Sequence, residues 1–239
     1  MTSRLPEHPT QTKARLRTLL RASGGVVTLP TLHRRGLAQA AQGLGLPQIV
    51  RSVRTRINQV GSDVPLTFVA LEAAHLELPP RELMHRAALT ETYLRCQELS
   101  PLRDCIRPDE RWQLVTSQGR PSGPLPDAEI LGPQINRHGR DCAVEFDAGY
   151  DFKTIKAKLH SFTKVQGYRR VLWATSIHDR VGRMFYQVED LDLPHLHQFD
   201  IIWVDFWSEE DRYKYRPRCR KVNHLGFQFT ALREADATR

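Results

Sequence analysis

The sequence predicts an α/β (α+β) protein in two parts, a basic N-terminal module followed by a larger domain with a mixed central sheet. Three observations carry this prediction. The first sixty residues show amphipathic helical patterns separated by glycine and proline. Pro79 and Pro80 then interrupt the chain, and the patterns after them follow the order helix, three strands, helix, strand. We therefore expect domains at residues 1–78 and 79–239.

The composition is that of a globular protein with a basic excess. The 239 residues carry 35 Lys+Arg against 27 Asp+Glu, a formal net charge of +8, which favours an acidic partner. Hydrophobic residues at 40% exclude wholesale disorder. No apolar run reaches the roughly 18 residues of a membrane span, so we expect a cytoplasmic protein with no membrane partner. The four cysteines include no CxxC pair, which argues against a zinc site or a disulfide scaffold.

The N-terminal module begins with two predicted helices. Residues 10–22 have a helical apolar period that Gly24 ends, and a short helix over 29–35 is closed by Gly36. Arg34 and Arg35 lie in this second helix. Glu7 is the single acidic residue up to position 60, so the module should attract a polyanion. The alternative is a solvated basic face without a partner.

A third helix is predicted over residues 47–60. Ile49, Val53, Ile57 and Val60 recur at spacings of four, four and three and give one apolar stripe. The opposite face carries the candidate DNA contacts Arg51, Arg54, Thr55, Arg56 and Asn58. Followed by a strand over 65–71, this order is typical of a winged helix-turn-helix whose third helix enters the major groove. The alternative is a small helical packing domain with a solvated arginine face.

The second domain resembles the core of the PD-(D/E)XK nuclease superfamily. Its predicted elements are a helix over 81–98, strands over 112–116, 127–131 and 142–147, a helix over 151–165, and strands over 170–175 and 201–206. Helix, three strands, helix and strand is the αβββαβ order of that superfamily. The resemblance implies a site for phosphodiester hydrolysis.

Three carboxylates are the candidate catalytic residues of this domain. Glu145 and Asp147 share one face of a strand, and pairing of the second and third strands brings Asp127 to that face. Carboxylates that converge in a low dielectric repel one another unless a cation neutralises them. Asp127 and Glu145 are therefore candidate Mg²⁺ ligands, with Asp147 as a third ligand or a water-orienting base. The alternative is a set of inert residues or surface ion pairs.

Asp147 stands where the superfamily pattern usually has lysine. The following helix offers replacements, because Lys156 and Lys158 border its apolar stripe while Lys153 points away. The alternative is that these lysines only solvate the helix.

Four short segments of the chain form a second recognisable set: 85–93 (HRAALTETY), 126–128 (PDA), 145–149 (EFDAG) and 158–162 (KLHSF). In these segments the chain resembles the replication-relaxation family of plasmids, phages and integrated mobile elements. The resemblance favours Lys158 over Lys156 as the catalytic lysine. It implies a winged helix with a degenerate nuclease-like domain, and DNA binding connected with replication or its control.

Two functions therefore compete. The first is a non-catalytic protein that binds double-stranded DNA, whose second domain grips the duplex or mediates self-association (a homodimer). The second is a DNA endonuclease that uses Mg²⁺ as its cofactor. An RNA-binding factor is less supported, because no aromatic-rich RNA motif is present. The basic segment 212–221 suits either a phosphate-tracking ribbon or a charged edge strand.

Overall fold

The computed structural model describes residues 8–56, 61–98, 111–132, 140–193, 196–209, 223–224 and 227–231. Within these ranges the chain is a mixed α/β protein with six α-helices and two β-sheets. Its contacts divide it into two units. The first contains the described residues up to Val53, Asp63–Glu91 and the segment from Phe206, and the second consists chiefly of Thr92–Asp205. This division falls at Glu91, later in the chain than the predicted boundary at residue 78.

The first unit begins as the sequence predicts. Its first elements are α1 (Pro9–Ser23), β1 (Val26–Thr28), α2 (Leu29–Arg34) and α3 (Ala38–Gly43). The side chain of His8 accepts a hydrogen bond from the Thr10 amide at the start of α1, and Gly24 ends the helix with a φ of 105°. The predicted helices over 10–22 and 29–35 are confirmed, whereas β1 and α3 were not predicted.

The predicted third helix over 47–60 is wrong. Residues Gln48–Arg56 form strand β2 and Gly61–Ala70 form β3, in a sheet of order β1-β3-β2. The spacing of four between Ile49, Val53 and Ile57 keeps residues on one side of a strand as well as of a helix, so these three positions did not distinguish the two. The β-branched residues of the segment favour the strand. Along β2, Val53 is buried and Val50 is 58% exposed, as alternation requires.

From residue 80 onward the chain follows the predicted order of elements. α4 (Pro80–Glu98) precedes β4 (Arg111–Leu114), β5 (Ala128–Leu131), β6 (Arg140–Asp147), α5 (Phe152–His160) and β7 (Tyr168–Thr175). A π-helical turn, Ser161–Val165, continues α5. Further elements are α6 (His178–Glu189), β8 (Gln198–Trp203), β9 (Asn223–His224) and β10 (Phe227–Ala231).

These strands form one mixed sheet of order β4-β5-β6-β7-β8-β10-β9. The pairs β4–β5 and β5–β6 are antiparallel, while β6–β7, β7–β8 and β8–β10 are parallel. A parallel pair needs a long crossover, which α5 supplies between β6 and β7 and α6 between β7 and β8. The predicted mixed central sheet is therefore confirmed.

Strand β6 is buried on both faces. Val144 and Phe146 lie on one face, and Glu145 and Asp147 lie on the other, each at most 1% exposed. The sequence prediction that the two acids share a face is correct, and both are interior. No helix of the described residues is long and apolar enough to cross a bilayer. Asn58 and the basic segment 212–221 lie outside the described residues, so the roles predicted for them stay predictions.

Candidate active site

Asp127 lies beside Glu145 at the junction of β5 and β6. Ala128 pairs with Val144, and that register, extended by one residue, sets Asp127 opposite Glu145. The Asp127 amide donates to the Val144 carbonyl at 3.0 Å, and the Phe146 amide donates to Asp127 Oδ2 at 2.7 Å. The backbone therefore holds the two acids on adjacent strands, as the sequence predicted.

Glu145 is a buried carboxylate whose negative charge is only partly neutralised by its neighbours. Its side chain is 0% exposed, and Lys158 Nζ lies 2.7 Å from Oε1. Neither carboxylate oxygen accepts a hydrogen bond of good geometry from the described residues. Burial raises the pKa of Glu145 well above its ordinary value and Asp127 raises it further, while the charge of Lys158 and the side-chain contacts of Lys158 and Tyr150 oppose both. A cation at this position would relieve a buried negative charge.

Lys158 reaches this carboxylate from α5. Ile155 and Leu159 bury the apolar side of the helix, and the Lys158 side chain beside them is 17% exposed. Its Nζ lies 5.1 Å from the centre of the Tyr150 ring and 5.9 Å from that of Phe162. Lys156 is exposed. The lysine that meets Glu145 is thus Lys158, the one that the family resemblance favoured.

The Asp147 carboxylate accepts hydrogen bonds from four donors of the protein itself. Its Oδ1 accepts from the amides of Gly149 and Tyr150, both at 2.6 Å. Its Oδ2 accepts from Arg180 Nη1 at 2.6 Å and from Trp173 Nε1 at 3.3 Å. A carboxylate has about four lone-pair positions, and these donors use them. Asp147 therefore shares the face of Glu145 but is engaged by the protein itself.

The carboxylates fit a cation held by two protein ligands. In the described part of the chain, no group of three or more His, Cys, Asp or Glu side chains is arranged to hold a metal ion. Mg²⁺ commonly takes only one or two carboxylates and completes its shell with water and phosphate oxygens. Asp127 and the incompletely paired Glu145 meet that requirement, whereas Asp147 does not.

Tyr150, Trp173 and Arg180 belong to this site but were not predicted. The Tyr150 and Trp173 rings meet edge to face with centroids 6.3 Å apart. Tyr150 directly follows the glycine of the family-like segment 145–149, which is the signal that could have drawn attention to it. Arg180 comes from α6, an element for which no pattern was recognised, so its approach to Asp147 appears only in three dimensions.

A second buried polar cluster lies on the same face of the sheet. Glu129 Oε1 lies 2.5 Å from Arg120 Nη2 and accepts from Gln113 Nε2 at 2.7 Å. Tyr168 Oη donates to Glu129 Oε2 at 2.6 Å. Burial alone raises the pKa of Glu129, but the hydrogen bonds from Arg120, Tyr168 and Gln113 outweigh it and lower the pKa. This cluster is internally satisfied.

The predicted DNA-contacting residues of α2 are largely shielded. Arg34 Nη2 lies 3.3 Å from Glu91 Oε2, and Arg35 Nη2 lies 3.0 Å from Glu91 Oε1. Their side chains are 5% and 13% exposed, and Arg34 also donates to the Ser208 carbonyl. DNA contact by these arginines therefore competes with a buried ion pair that fixes α2 against α4.

The predicted residues of 47–60 lie on a strand instead of a helix. Arg54 is exposed on the same side of β2 as Val50, and Arg51 is half-buried on the other side with Val53. Thr55 and Arg56 end the strand. Alternation therefore separates Arg51 from Arg54, which the helical interpretation had placed on one face.

Other cationic side chains of the first unit are accessible. Arg15, Arg17 and Arg21 are exposed on α1. A groove of about 520 Å³ between α1 and the segment from Arg35 to Gly43 is lined by Lys13, Arg15, Arg35 and Gln39, among others. The first unit thus keeps a basic surface although Arg34 and Arg35 are paired.

Comparison with family models, with curated proteins and with solved structures found no match to this chain.

Proposed function

We propose that this protein binds double-stranded DNA through a winged helix-turn-helix formed by its first unit. The observation that carries the proposal is the order α1, β1, α2, α3, β2, β3 together with a three-stranded sheet of order β1-β3-β2. Only residues 57–60 separate β2 from β3, and so short a connection joins antiparallel strands, as in a wing. In this assignment the recognition helix is α3 (Ala38–Gly43).

Exposed side chains of the segment from α1 to β2 suit such a role. Gln39 and Gln42 are exposed on α3, and glutamine can make a bidentate contact with adenine. Arg17 and Arg21 of α1 and Arg54 of β2 are exposed cations available to phosphate. The resemblance to the replication-relaxation family extends the proposal to replication, or its regulation, on plasmid, phage or other mobile DNA. Self-association of two copies stays a prediction.

The DNA-binding proposal is tested by fluorescence anisotropy with labelled duplex DNA at several salt concentrations. Arg17→Ala, Arg21→Ala and Arg54→Ala should each weaken binding and lower the slope of log affinity against log salt by about one. Gln39→Ala should reduce discrimination between sequences by about 1–3 kcal/mol once a preferred site is selected. Arg111→Ala removes an exposed arginine of β4 and serves as the matched control. Affinity that does not change with salt would contradict the proposal.

A second candidate function is that of a Mg²⁺-dependent DNA endonuclease. The specific observation in its favour is the 2.7 Å contact between Lys158 and Glu145, with Asp127 held on the adjoining strand. Asp127 and Glu145 would hold the cation, which supplies Lewis-acid activation when bound. In phosphodiester hydrolysis, water adds to phosphorus, one P–O ester bond breaks, and the leaving oxygen gains a proton.

The protein side chains have defined parts in this second candidate. The two carboxylates would hold the cation, and the Lys158 ammonium would stabilise the negative charge that accumulates on the phosphate oxygens. Burial of Glu145 and Phe162 beside Lys158 lowers the local dielectric and strengthens that interaction. Asp147 takes no part as a ligand, because its oxygens accept hydrogen bonds from the protein.

The nuclease candidate is tested by incubating supercoiled, linear and branched DNA with Mg²⁺ or Mn²⁺. Asp127→Ala, Glu145→Ala and Lys158→Ala should abolish nicking and leave duplex affinity largely intact. Lys156→Ala, which removes an exposed lysine from the same helix, is the matched control. Absence of cleavage with every substrate and metal would exclude this candidate and leave the DNA-binding proposal standing.

A further inference from the structure

The turn that follows β6 is fixed from three directions. Asp147 accepts the amides of Gly149 and Tyr150 at 2.6 Å each, and Gly149 has a φ of 128°, which side chains rarely adopt. Arg180 Nη1 bridges Asp147 Oδ2 and the Tyr150 carbonyl, both at 2.6 Å. Together these hydrogen bonds hold the turn in one conformation.

The fixed turn carries Tyr150 to the candidate site. The Tyr150 ring lies 5.1 Å from Lys158 Nζ and packs edge to face on Trp173. The Tyr150 side chain is a hydrogen-bonding neighbour of Glu145, and a tyrosine hydroxyl is an uncharged donor at neutral pH. The Tyr150 hydroxyl and the Lys158 ammonium group are therefore both neighbours of Glu145.

We propose that Tyr150 is a phosphate-binding residue of this site and that Asp147 and Arg180 are the positioning residues that hold it there. The ligand class is a nucleic-acid phosphodiester, whose oxygen accepts a hydrogen bond from the Tyr150 hydroxyl next to Lys158. This inference rests on the nuclease candidate and deepens it. It replaces the predicted role of Asp147 as a third ligand or base.

The geometry favours positioning over ligation by Asp147. If Asp147 bound a metal ion, its carboxylate would have to lose at least one of its four hydrogen-bond donors. Loss of the Arg180 contact would leave the guanidinium charge near the interior without its counter-charge. The Arg180 side chain is 20% exposed and Asp147 is 0% exposed. With Arg180 also bound to the Tyr150 carbonyl, loss of either member of the pair loosens the same residue.

The test uses the full chain with single and double variants. Mn²⁺ affinity is measured by electron paramagnetic resonance titration, and kcat and KM are measured on duplex DNA with Mn²⁺. Tyr150→Phe should raise KM about tenfold, as expected for a lost hydrogen bond to a charged group, and leave Mn²⁺ affinity within about twofold. Arg180→Met should do the same, and the double variant should be no worse than either single one. Arg183→Met, an exposed arginine of the same helix, is the control.

The outcomes separate this inference from the nuclease candidate. If wild-type protein neither binds Mn²⁺ nor cleaves DNA, the nuclease candidate and this inference both fail. If wild-type protein cleaves but Tyr150→Phe has the wild-type KM, only the inference fails. An Asp147→Asn variant that loses Mn²⁺ affinity about tenfold or more would identify Asp147 as a ligand and overturn its positioning role. Should that variant not fold, multiplicative effects of Tyr150→Phe and Arg180→Met would overturn it equally.

Discussion

Two buried glutamates on one face of the larger sheet have opposite surroundings. Glu129 pairs with Ala143, and Glu145 follows two residues later on the same strand face as Ala143. Glu129 is contacted by Arg120, Gln113 and Tyr168 at 2.5–2.7 Å, so both of its oxygens are satisfied. Glu145 has Lys158 at 2.7 Å and no well-formed hydrogen bond within the described residues.

The difference separates a structural acid from a candidate functional acid. Donors around Glu129 lower its pKa, whereas burial and the neighbouring Asp127 raise the pKa of Glu145. A folded chain normally pairs its buried polar groups, so an acid left incompletely paired beside another acid is suited to an external ligand. The hydrogen bonds that a carboxylate accepts, more than its burial, therefore distinguish the two roles.

The largest expected effect comes from neutralising each glutamate in turn. Glu129→Gln leaves the Arg120 guanidinium, 12% exposed, without its counter-charge and should lower the free energy of unfolding by about 3 kcal/mol. Glu145→Gln removes a charge that the fold compensates poorly, while the partly exposed Lys158 can turn to water, so stability should stay within about 1 kcal/mol or rise. Urea denaturation at pH 7 measures both. Equal losses would remove the distinction between the two acids.

A cation should stabilise the protein through Glu145 and not through Glu129. If Mn²⁺ binds the folded site, at a hundred times its Kd it adds about 2.7 kcal/mol to the free energy of unfolding. Thermal denaturation with and without Mn²⁺ measures this increment. Glu145→Gln should abolish it, and Glu129→Gln should retain it although its starting stability is lower. An increment that survives Glu145→Gln would place the cation elsewhere.

The sequence predicted much of the fold because most elements carry one dominant pattern. The strand around Val144 and the helix around Ile155 have apolar periods that fit only one kind of element. The segment from Ile49 to Ile57 does not, because residues spaced by four share a side in both helix and strand. There the β-branched content and the neighbouring strand β3 decide the outcome, and the first of these was visible in the sequence.

The candidate site was predictable where its members lie on adjacent strands or on the crossover helix. Asp127, Glu145 and Lys158 follow from strand pairing and helical period, and the structure brings them together. The role of Asp147 was not predictable, because it depends on Arg180, a residue of α6 that shares no local pattern with it. The pairing of Arg35 with Glu91 was missed for the same reason.

The pH dependence of stability should have opposite signs for the two acids. Glu129, with its lowered pKa, contributes stability that is present above the unfolded value of about 4.3 and is lost as the pH falls. Glu145, with its raised pKa, imposes a penalty that is absent below about pH 4.3 and grows as the pH rises toward its folded value.

Stability measured at about pH 4 and pH 7 tests these signs, since each pKa difference of one is worth about 1.4 kcal/mol. The advantage of Glu145→Gln over wild type should increase toward pH 7, and so should the deficit of Glu129→Gln. If the stabilities of both variants relative to wild type changed with pH in the same direction, the surroundings of Glu129 and Glu145 would not differ as their contacts indicate.

The smallest expected effect concerns the two tyrosines that accompany the acids. Tyr168 is fully buried and donates to Glu129 Oε2 at 2.6 Å, so Tyr168→Phe removes a satisfied bond and should cost about 1–1.5 kcal/mol of unfolding free energy. Tyr150 is only half-buried and makes no comparably well-formed bond to Glu145, so Tyr150→Phe should change stability by less than about 0.5 kcal/mol. Paired urea titrations measure both. A Tyr150→Phe loss as large as that of Tyr168→Phe would show that Tyr150 stabilises the fold, and its placement beside Lys158 would then need no ligand to explain it.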